Sequence, residues 1–500
     1  MYNIFDRIAD LKKIFSVVSE RDLHYLVGHK ISDIKHLHDA QPSKAKGVFM
    51  GFIWFLIRPW IKDKPSFVFH EDRARASKYF VYAGTGNQKK SLDGFVDAVT
   101  RRGESFHYVV QNELISDSDD DAFCAPFTLS AADVIVSQLI AVVRFKRLIR
   151  LRAYLPLKIR DNHYRAFLGV YSYLAYFLRV LRSVNPDFVV LSNDHSPGPR
   201  SLVAVANYLG IKTVYMQHAS VSPLFPALRF SFAFLDGEKS MRIYEQCEKN
   251  WPADVAEYQK PRVYMSGQKK VLISHQNKRE QYVGLAVNTL DPIENIVSLV
   301  RKLQVNDIPL LLRWHPGQAI RDVERLFAEF EGDSLVQLSN PEKHHVAVFL
   351  GRIHTMIAGN SSIHLEAAIM GVKTIYYEIV PPSMPDYYGY VKEKISRHAR
   401  SVEELLDMIR NDGPDVVEGR EAAIKHYSET YGTPWYGKEG ELVAETLHRI
   451  GTGQELDSLY DRVDTSSVFG DVYGINTHKP AVERLCDCSG STRPSSTVSS

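Results

Sequence analysis

The feature that most constrains this chain is a repeated alternation of short apolar segments with longer helical patterns. The segment YFVYAG, at residues 79–84, is followed by a glycine-containing turn and then by a helical pattern. A second helical stretch, 164–184, leads into DFVVLS at 187–192, and another helix leads into KTVYMQH at 212–218. Apolar segments of this length are typical of buried strands. Strands that alternate with helices in this way predict a parallel sheet with right-handed crossovers.

The same alternation starts again near residue 270 with the segment KVLISHQ. It continues with helical patterns between four further apolar segments: PLLLRWHP, SLVQLS, HTMIAGNSS and KTIYYE. A chain of 500 residues exceeds what one core usually organises. We therefore predict an α/β protein with two doubly wound, Rossmann-like domains that face a central cleft. The predicted division is an N-terminal extension at 1–75, a first domain at 76–262, a second domain at 268–450 and a disordered polar tail at 475–500.

The most informative polar cluster follows the apolar segment that ends at Ala358. Gly359 and Asn360 lead into Ser361-Ser362, where a helix begins. Ligands of open α/β sheets bind at the carboxyl ends of strands, and a helix N-terminus offers N–H groups to a phosphate. The hydroxyls of Ser361 and Ser362 can add donors. The alternative interpretation is that one serine only caps the helix.

Two further side chains belong to this cluster in the prediction. The Asn360 amide lies within the turn, and Glu366 lies one turn into the helix. The Glu366 carboxylate is placed to accept hydrogen bonds from ribose hydroxyls, or to act as the partner of a capping serine.

A second cluster, Arg313-Trp314-His315-Pro316, directly follows the apolar segment PLLL. Pro316 and the glycine after it end the strand and present His315 at the edge of the sheet. Arg313 or His315 can donate to a phosphate oxygen, or offset the charge on a departing nucleotide. The alternative is a loop histidine that is bonded to neighbouring backbone.

These two pairs, His315-Pro316 and Ser361-Ser362, resemble the HP and SS motifs of bacterial GT-B-fold glycosyltransferases that use CMP-activated acidic sugars. Those enzymes are the sialyl- and Kdo-transferases of capsule and lipopolysaccharide synthesis. The resemblance in the alternation of strands and helices covers about residues 78–450. It implies a GT-B-like fold, with an acceptor-binding first domain and a nucleotide-donor-binding second domain. It also implies that the histidine and the two serines contact the CMP phosphate.

The first domain supplies candidate catalytic groups at its own strand ends. Asp194 follows one apolar segment, and His218 ends the next. Sugar transfer needs a group that activates an acceptor hydroxyl or attacks the anomeric carbon, so we predict catalytic roles for both. The alternative for Asp194 is a cap on the helix near Ser201. The bacterial sialyltransferases also carry an acidic pair before a glycine. Only Asp236-Gly237 corresponds to it here, so inversion and retention both stay open.

Two segments bear on membranes. The run GVFMGFIWFLI at 47–57 is too short to span a bilayer and indicates a buried or interfacial element. The stretch RFKRLIRLRAYLPLKIR, at 144–160, is basic, contains no acidic residue and carries interspersed apolar residues. It predicts either peripheral contact with an anionic membrane or a solvated basic face.

The composition excludes other classes of protein. The net charge of +2 gives no reason to expect a nucleic-acid partner, and four scattered cysteines do not form a disulfide framework. With no secretion signal visible, we expect a cytoplasmic protein. Peripheral contact with the inner face of the plasma membrane is compatible with that expectation. No Asp-x-Asp motif lies at a strand end, and the acidic run at 117–121 reads as a solvated loop. We expect no metal and no cofactor, the nucleotide sugar being a substrate.

The leading hypothesis is a glycosyltransferase that moves an acidic sugar from a CMP donor to a lipid-linked acceptor or a growing surface glycan. A neutral UDP- or GDP-sugar is a close variant of the donor. The alternatives are a CDP-polyol phosphotransferase of capsule or teichoic-acid type, a UDP-sugar 2-epimerase-like enzyme, and a non-catalytic binding subunit.

Overall fold

The computed structural model describes residues 3–33, 48–63, 65, 76–114, 124–151, 160–253, 260–269, 282–381, 384–411, 419–463 and 468–476. Its strands are β1 (Tyr79–Ala83), β2 (Phe106–Val110), β3 (Cys124–Pro126), β4 (Phe188–Leu191), β5 (Lys212–Met216), β6 (Phe232–Leu235), β7 (Arg262–Met265), β8 (Tyr282–Ala286), β9 (Leu310–Arg313), β10 (Val336–Ser339), β11 (Ile353–Ala358), β12 (Lys373–Tyr376), β13 (Arg397–His398), β14 (Tyr460–Arg462) and β15 (Val472–Ile475).

The α-helices are α1 (Ile4–Val17), α2 (Glu20–Leu23), α3 (Val48–Arg58), α4 (Gly86–Arg101), α5 (Ala131–Val143), α6 (Phe145–Leu151), α7 (Arg160–Val184), α8 (Pro197–Tyr208), α9 (Glu238–Lys249), α10 (Ile293–Gln304), α11 (Ile320–Phe330), α12 (Val346–Gly351), α13 (Ile363–Ile369), α14 (Val402–Arg410), α15 (Arg420–Tyr427) and α16 (Glu439–Thr452). Short 3₁₀ or π turns, among them Leu26–Lys30 and Pro59–Asp63, connect some of them.

The first domain is built on a nine-stranded sheet with the order β14-β15-β7-β6-β5-β4-β1-β2-β3. Among the described strands of this sheet, only β14 runs antiparallel to its neighbour. The central strands are buried along their whole length because helices cover both faces of the sheet. This arrangement explains why those strands read as continuous apolar runs in the sequence.

The N-terminal helices belong to the helical layer on one face of this sheet. Asn3 caps α1 by accepting from the N–H of Asp6. The Arg7 guanidinium of α1 is buried against the carboxylate of Asp133 in α5, which also accepts from Arg179. The two guanidinium groups offset the negative charge of Asp133, as a buried carboxylate requires. The extension predicted at 1–75 is therefore, in its described part, packed onto the first domain.

The second domain has six parallel strands in the order β10-β9-β8-β11-β12-β13. Its helices again cover both faces. The segment KVLISHQ at 270–276, from which we predicted a strand, lies outside the described residues. In this sheet the sequence analysis did not identify β8, which lies between β9 and β11, or the two-residue strand β13 at the edge.

The end of the chain returns to the first domain. Helix α16 packs on α4, where Arg101 pairs with Glu441 at 2.7 Å and Glu104 lies 2.7 Å from His448. Strands β14 and β15 extend the first sheet beside β7. The sequence division assigned residues up to 450 to the second domain, whereas this helix covers the first sheet. An amphipathic pattern indicates that one face of a helix is buried, but it does not indicate which sheet buries that face.

The chain crosses between the domains twice, and the two crossings are in contact. In the first crossing, Gly267 adopts a positive φ of 72° and packs against Thr430 of the second. The N–H of Gln268 donates to the Ser428 hydroxyl at 3.1 Å. Next to them, Lys269 is buried and donates to Asp236 at 3.1 Å. Together these observations confirm the predicted class of fold, two Rossmann-like doubly wound domains in a GT-B-like arrangement.

Candidate active site

The C-terminal edge of the second sheet carries both clusters that the sequence singled out. One row of paired residues marks that edge: Ser339, Arg313, Ala286, Ala358, Tyr376 and His398. Neighbouring strands lie about 4.8 Å apart, so the loops after β9 and β11 leave the sheet roughly 10 Å from each other. The first loop carries His315 and the second carries Ser361, with the loop after β8 between them.

The His315 side chain is exposed, and its hydrogen bond to backbone indicates which ring nitrogen carries the proton. Its Nδ1 accepts from the N–H of Gly317 at 2.9 Å, so a neutral ring carries its proton on Nε2. Partial burial lowers the pKa of His315, which favours that neutral form near pH 7. Pro316 beside it is also exposed. The exposed Nε2–H is therefore a donor that a phosphate oxygen can use.

Arg313 has a different environment from its neighbour His315. Its guanidinium is buried and donates to the Ser339 hydroxyl at 3.2 Å and to the His344 carbonyl at 3.0 Å. Burial lowers the pKa of Arg313, and the nearby Glu366 acts in the opposite direction. These bonds tie β9 to the end of β10 and to the segment after it. Of the two groups predicted to meet a phosphate here, His315 is the one that is open to solvent.

The turn after β11 is held by Asn360. Its Nδ2 donates to the Met384 carbonyl at 2.8 Å, and its Oδ1 accepts from the Tyr387 N–H at 2.9 Å. The Ser361 hydroxyl accepts from the N–H of Ile363 at 3.4 Å, which agrees with the capping alternative for that residue. Ser362 is the N-cap position of α13, makes no side-chain capping bond and is half-buried.

A histidine that the sequence analysis did not identify shapes the same turn. His364 is fully buried, with Nε2 at 3.2 Å from the Ala358 carbonyl and 3.0 Å from the Gly359 carbonyl. Its Nδ1 lies 3.0 Å from the Ser396 hydroxyl. Burial lowers the pKa of His364 to about 4, so the ring is neutral and donates from Nε2. Glu366, two residues further on, is also buried, and its predicted contact with ribose stays a prediction.

In the first domain, Asp194 and His195 form a hydrogen-bonded pair. The Asp194 side chain is 1% exposed, and its Oδ1 lies 2.8 Å from His195 Nδ1. Its Oδ2 accepts from the Tyr244 hydroxyl at 2.7 Å, and the Tyr215 hydroxyl is 2.9 Å from that of Tyr244. A carboxylate only accepts, so His195 Nδ1 carries the proton and Nε2 carries the lone pair, which lies 3.4 Å from the Asn193 Nδ2 donor.

This geometry changes the role that Asp194 can have. Both of its oxygens are bonded inside the domain, so the carboxylate reaches a substrate only through His195. The capping alternative is also not what is observed, because Asn193 Oδ1 accepts from the N–H groups of His195 and Ser196 at the start of α8. His195 itself is half-buried and stacks on Phe225, with ring centroids 4.4 Å apart.

A loop of the second domain connects the two sets of candidate residues. Tyr387, whose N–H binds Asn360, donates its hydroxyl to the Ser222 hydroxyl at 2.6 Å. The Tyr390 hydroxyl lies 3.0 Å from that of Ser220. Ser220 and Ser222 belong to the 217–225 loop after β5, which also contains His218, half-buried, and Phe225, the ring that stacks on His195. The structure thus joins the first-domain histidines to the Asn360 turn through one loop.

Other sequence candidates lie elsewhere. In the glycine-containing turn after β1, which the sequence analysis used only to place a helix, Thr85 caps α4 by accepting from Gln88 N–H at 3.4 Å. Asp236 is buried beside Lys269. Arg144 is mostly buried and pairs with Glu20, residues 152–159 of the basic stretch lie outside the described residues, and so does the acidic run at 117–121.

Comparisons with known proteins give likenesses of overall fold. No protein-family model matches the chain, and no curated protein matches it in sequence. A co-structure of S. aureus MnaA with UDP is 12% identical, with a TM-score of 0.48 over 75% of this chain and 97% of that chain. A UDP-GlcNAc 2-epimerase from Neisseria meningitidis bound to UDP-GlcNAc is 12% identical, with a TM-score of 0.45 over 74% of this chain and 99% of that chain. The wall teichoic acid polymerase TagF is 10% identical, with a TM-score of 0.44 over 77% of this chain and 91% of that chain.

Proposed function

We propose that this chain is a glycosyltransferase that transfers a sugar from a nucleotide donor to an acceptor hydroxyl between its two domains. The observation that carries the proposal is the Asp194–His195 pair, which lies on the loop network that reaches the Asn360 turn. Such a transfer requires two parts. One is a base backed by a buried carboxylate, in one domain, and the other is a phosphate-binding edge of the sheet in the second domain.

His195 is the proposed general base. The acceptor hydroxyl replaces the long 3.4 Å contact of Asn193 Nδ2 at Nε2. The Nε2 lone pair then accepts the proton of that hydroxyl while the acceptor oxygen forms a bond to the anomeric carbon. Asp194 stabilises the resulting imidazolium, and Tyr244 fixes the orientation of the carboxylate. We therefore assign to Asp194 a positioning role, in place of direct attack or direct proton abstraction. His218, in the 217–225 loop after β5, is assigned to the acceptor side.

The second domain supports departure of the nucleotide. As the bond between the anomeric carbon and the phosphate oxygen breaks, the electron pair leaves with the nucleotide and negative charge grows on its phosphate. The Nε2–H of His315 is a donor for that charge, and the hydroxyls of Ser361 and Ser362 lie on the loop after β11, two strands away at the same edge of the sheet. Asn360 and His364 fix the shape of the turn that presents those hydroxyls.

Within this proposal the donor is a CMP-activated acidic sugar, Kdo or sialic acid, and the acceptor is a bacterial surface polysaccharide or a glycolipid. The support is the resemblance of His315-Pro316 and Ser361-Ser362 to the HP and SS motifs. Capsule or lipopolysaccharide synthesis is the biological setting that this donor class implies.

The test has a binding stage and a turnover stage. Thermal shift with CMP, CDP, UDP and GDP identifies the nucleotide, because a ligand at about 100 times its Kd adds about 2.7 kcal/mol to the free energy of unfolding. Turnover is then measured with sugars activated by that nucleotide, and with CDP-glycerol and CDP-ribitol. The expected result is stabilisation by CMP and sugar transfer that His195→Ala abolishes. The exposed His344 provides a matched control, His344→Ala, which should retain activity. Transfer of phosphoryl-polyol, epimerisation of a UDP-sugar, or binding without turnover would each reject the proposal.

A further inference from the structure

One face of α3 and the turn that follows it is both apolar and exposed. Met50, Trp54, Ile57 and Ile61 are 40–60% exposed. Their spacing of four, three and four residues places them on a single helical face. Phe52, on the other side of the helix, is buried in the core of the first domain. Helix α3 is thus held by one face and presents a second apolar face to solvent.

Helix α5 and the start of α6 continue this surface. Their exposed apolar side chains are 36–61% exposed: Ile135, Leu139, Val142, Val143 and Ile149. Gln138 joins the helices by donating to the Leu56 carbonyl at 2.7 Å, and it accepts from Trp60 Nε1 at 3.4 Å. The Phe52 and Phe145 rings are 4.6 Å apart. The two exposed stripes are therefore neighbours, and together they form one apolar surface, defined here as the α3–α5 surface.

The exposed charged side chains of helices α3, α5 and α6 are all cations. Arg58, Lys146, Arg147 and Arg150 are exposed at the ends of α3 and on α6. Helices α3, α5 and α6 contain a single acidic residue, Asp133, and it is buried between arginines. A wide apolar surface bordered by cations, with no exposed acid on its own helices, complements an anionic lipid surface.

We propose that the α3–α5 surface docks this protein on an anionic bilayer. The aliphatic and indole side chains enter the boundary between headgroups and acyl chains, and the four cations contact lipid phosphates. The insertion is shallow, since none of the helices that the structure describes is long and apolar enough to cross a bilayer. A second copy of this chain is a poorer occupant, because a two-fold contact would bring the same cations of both copies together. This inference is independent of the proposed sugar transfer.

Vesicle co-sedimentation of the full chain tests the proposal. The probes are phosphatidylcholine vesicles with and without phosphatidylglycerol. We expect binding to the anionic vesicles that falls as salt is added. Lys146→Gln, Arg147→Gln and Arg150→Gln together should lower the partition coefficient at least about tenfold, since one cation near the surface contributes roughly fivefold. Trp54→Ser with Leu139→Ser should lower it at least about tenfold at any salt concentration.

Matched controls come from the second domain. Val305→Ser and Lys343→Gln change an exposed apolar residue and an exposed cation there, and they should leave binding unchanged. Melting temperature and nucleotide binding show whether each variant is folded, so a failure of docking is separable from a failure of the proposed transfer. Wild-type protein that stays with the supernatant at low salt would overturn the inference. So would sedimentation as a dimer that Trp54→Ser with Leu139→Ser dissociates.

Discussion

Replacing Asp194 with asparagine removes one negative charge and leaves the size of the side chain unchanged. In the native protein the Asp194 carboxylate accepts hydrogen bonds from His195 Nδ1 and from the Tyr244 hydroxyl. In the variant, one orientation of the amide places its NH₂ against His195 and moves the ring proton to Nε2, where the lone pair is needed. The other orientation keeps the tautomer. In both, the imidazolium that forms during proton transfer loses its buried counter-charge.

The size of the effect follows from these two losses. General base catalysis contributes about 10²- to 10⁴-fold, and loss of the aspartate behind a histidine base reduces turnover by up to about 10⁴-fold in the best-studied case. We expect kcat of Asp194→Asn to fall by between about 10²- and 10⁴-fold, which is about 2.7–5.5 kcal/mol. The buried amide should also lower the free energy of unfolding by about 1–3 kcal/mol, which leaves the protein folded.

The assay measures kcat for sugar transfer together with the Kd of the donor nucleotide, which should change little. Tyr244→Phe is the matched control, because it removes a buried bond to the same carboxylate and keeps the charge. It should lose stability to a similar extent and lose less than about tenfold in kcat. If Asp194→Asn and His195→Ala both retain more than about a tenth of the wild-type kcat, His195 is not the base and the assignment is refuted.

Three further predictions concern other parts of the molecule. His315→Ala should cost about 2–4 kcal/mol of transition-state stabilisation, measured as kcat/KM, with an unchanged melting temperature because the side chain is exposed. Burial holds the pKa of His364 at about 4, so the unfolded chain, with a pKa near 6.5, binds the proton first as pH falls. The free energy of unfolding should therefore drop by up to about 1.4 kcal/mol per pH unit between those values, and urea titrations of His364→Gln should show a smaller drop. Gly440→Ala should destabilise the protein by about 1–3 kcal/mol, because a Cβ there would overlap the backbone of Gly94. Gly451→Ala in the same helix has room at 3.5 Å and should be neutral or stabilising in the same thermal-denaturation measurement.

The arrangement of the sheets follows from the sequence where strands are long, apolar and ended by polar or glycine residues. The segments that became β1, β4, β5, β9, β11 and β12 meet that description. Strand β8, with the sequence YVGLA, was missed because the glycine at its centre interrupts the apolar run. Packing compensates for that glycine, since a Cβ on Gly284 would overlap the side chain of Ile353. Such tertiary compensation has no signal in local sequence.

The sequence predicted which strand ends carry the candidate residues, and it did not predict the direction of their side chains. Asp194 follows a strand end, as predicted, but the turn made by Asn193 directs the carboxylate inward. The lone pair then lies on His195 Nε2, where the Asn193 amide is 3.4 Å away. His364 resembles an ordinary residue on the apolar face of a helix. Its role depends on the carbonyls of Ala358 and Gly359, which only the folded turn places at its Nε2.

The return of the C-terminal segment also has a consequence for biogenesis. Leu442, Val443 and Leu447 of α16 complete a core cluster with Phe95 and Val99 of α4. While the second domain is still being synthesised, those apolar side chains have no cover, and β7 presents an open edge where β15 will pair. The first domain can therefore complete its core and its sheet only after the segment from α16 to β15 has been synthesised. Until then, aggregation or chaperone binding competes with folding.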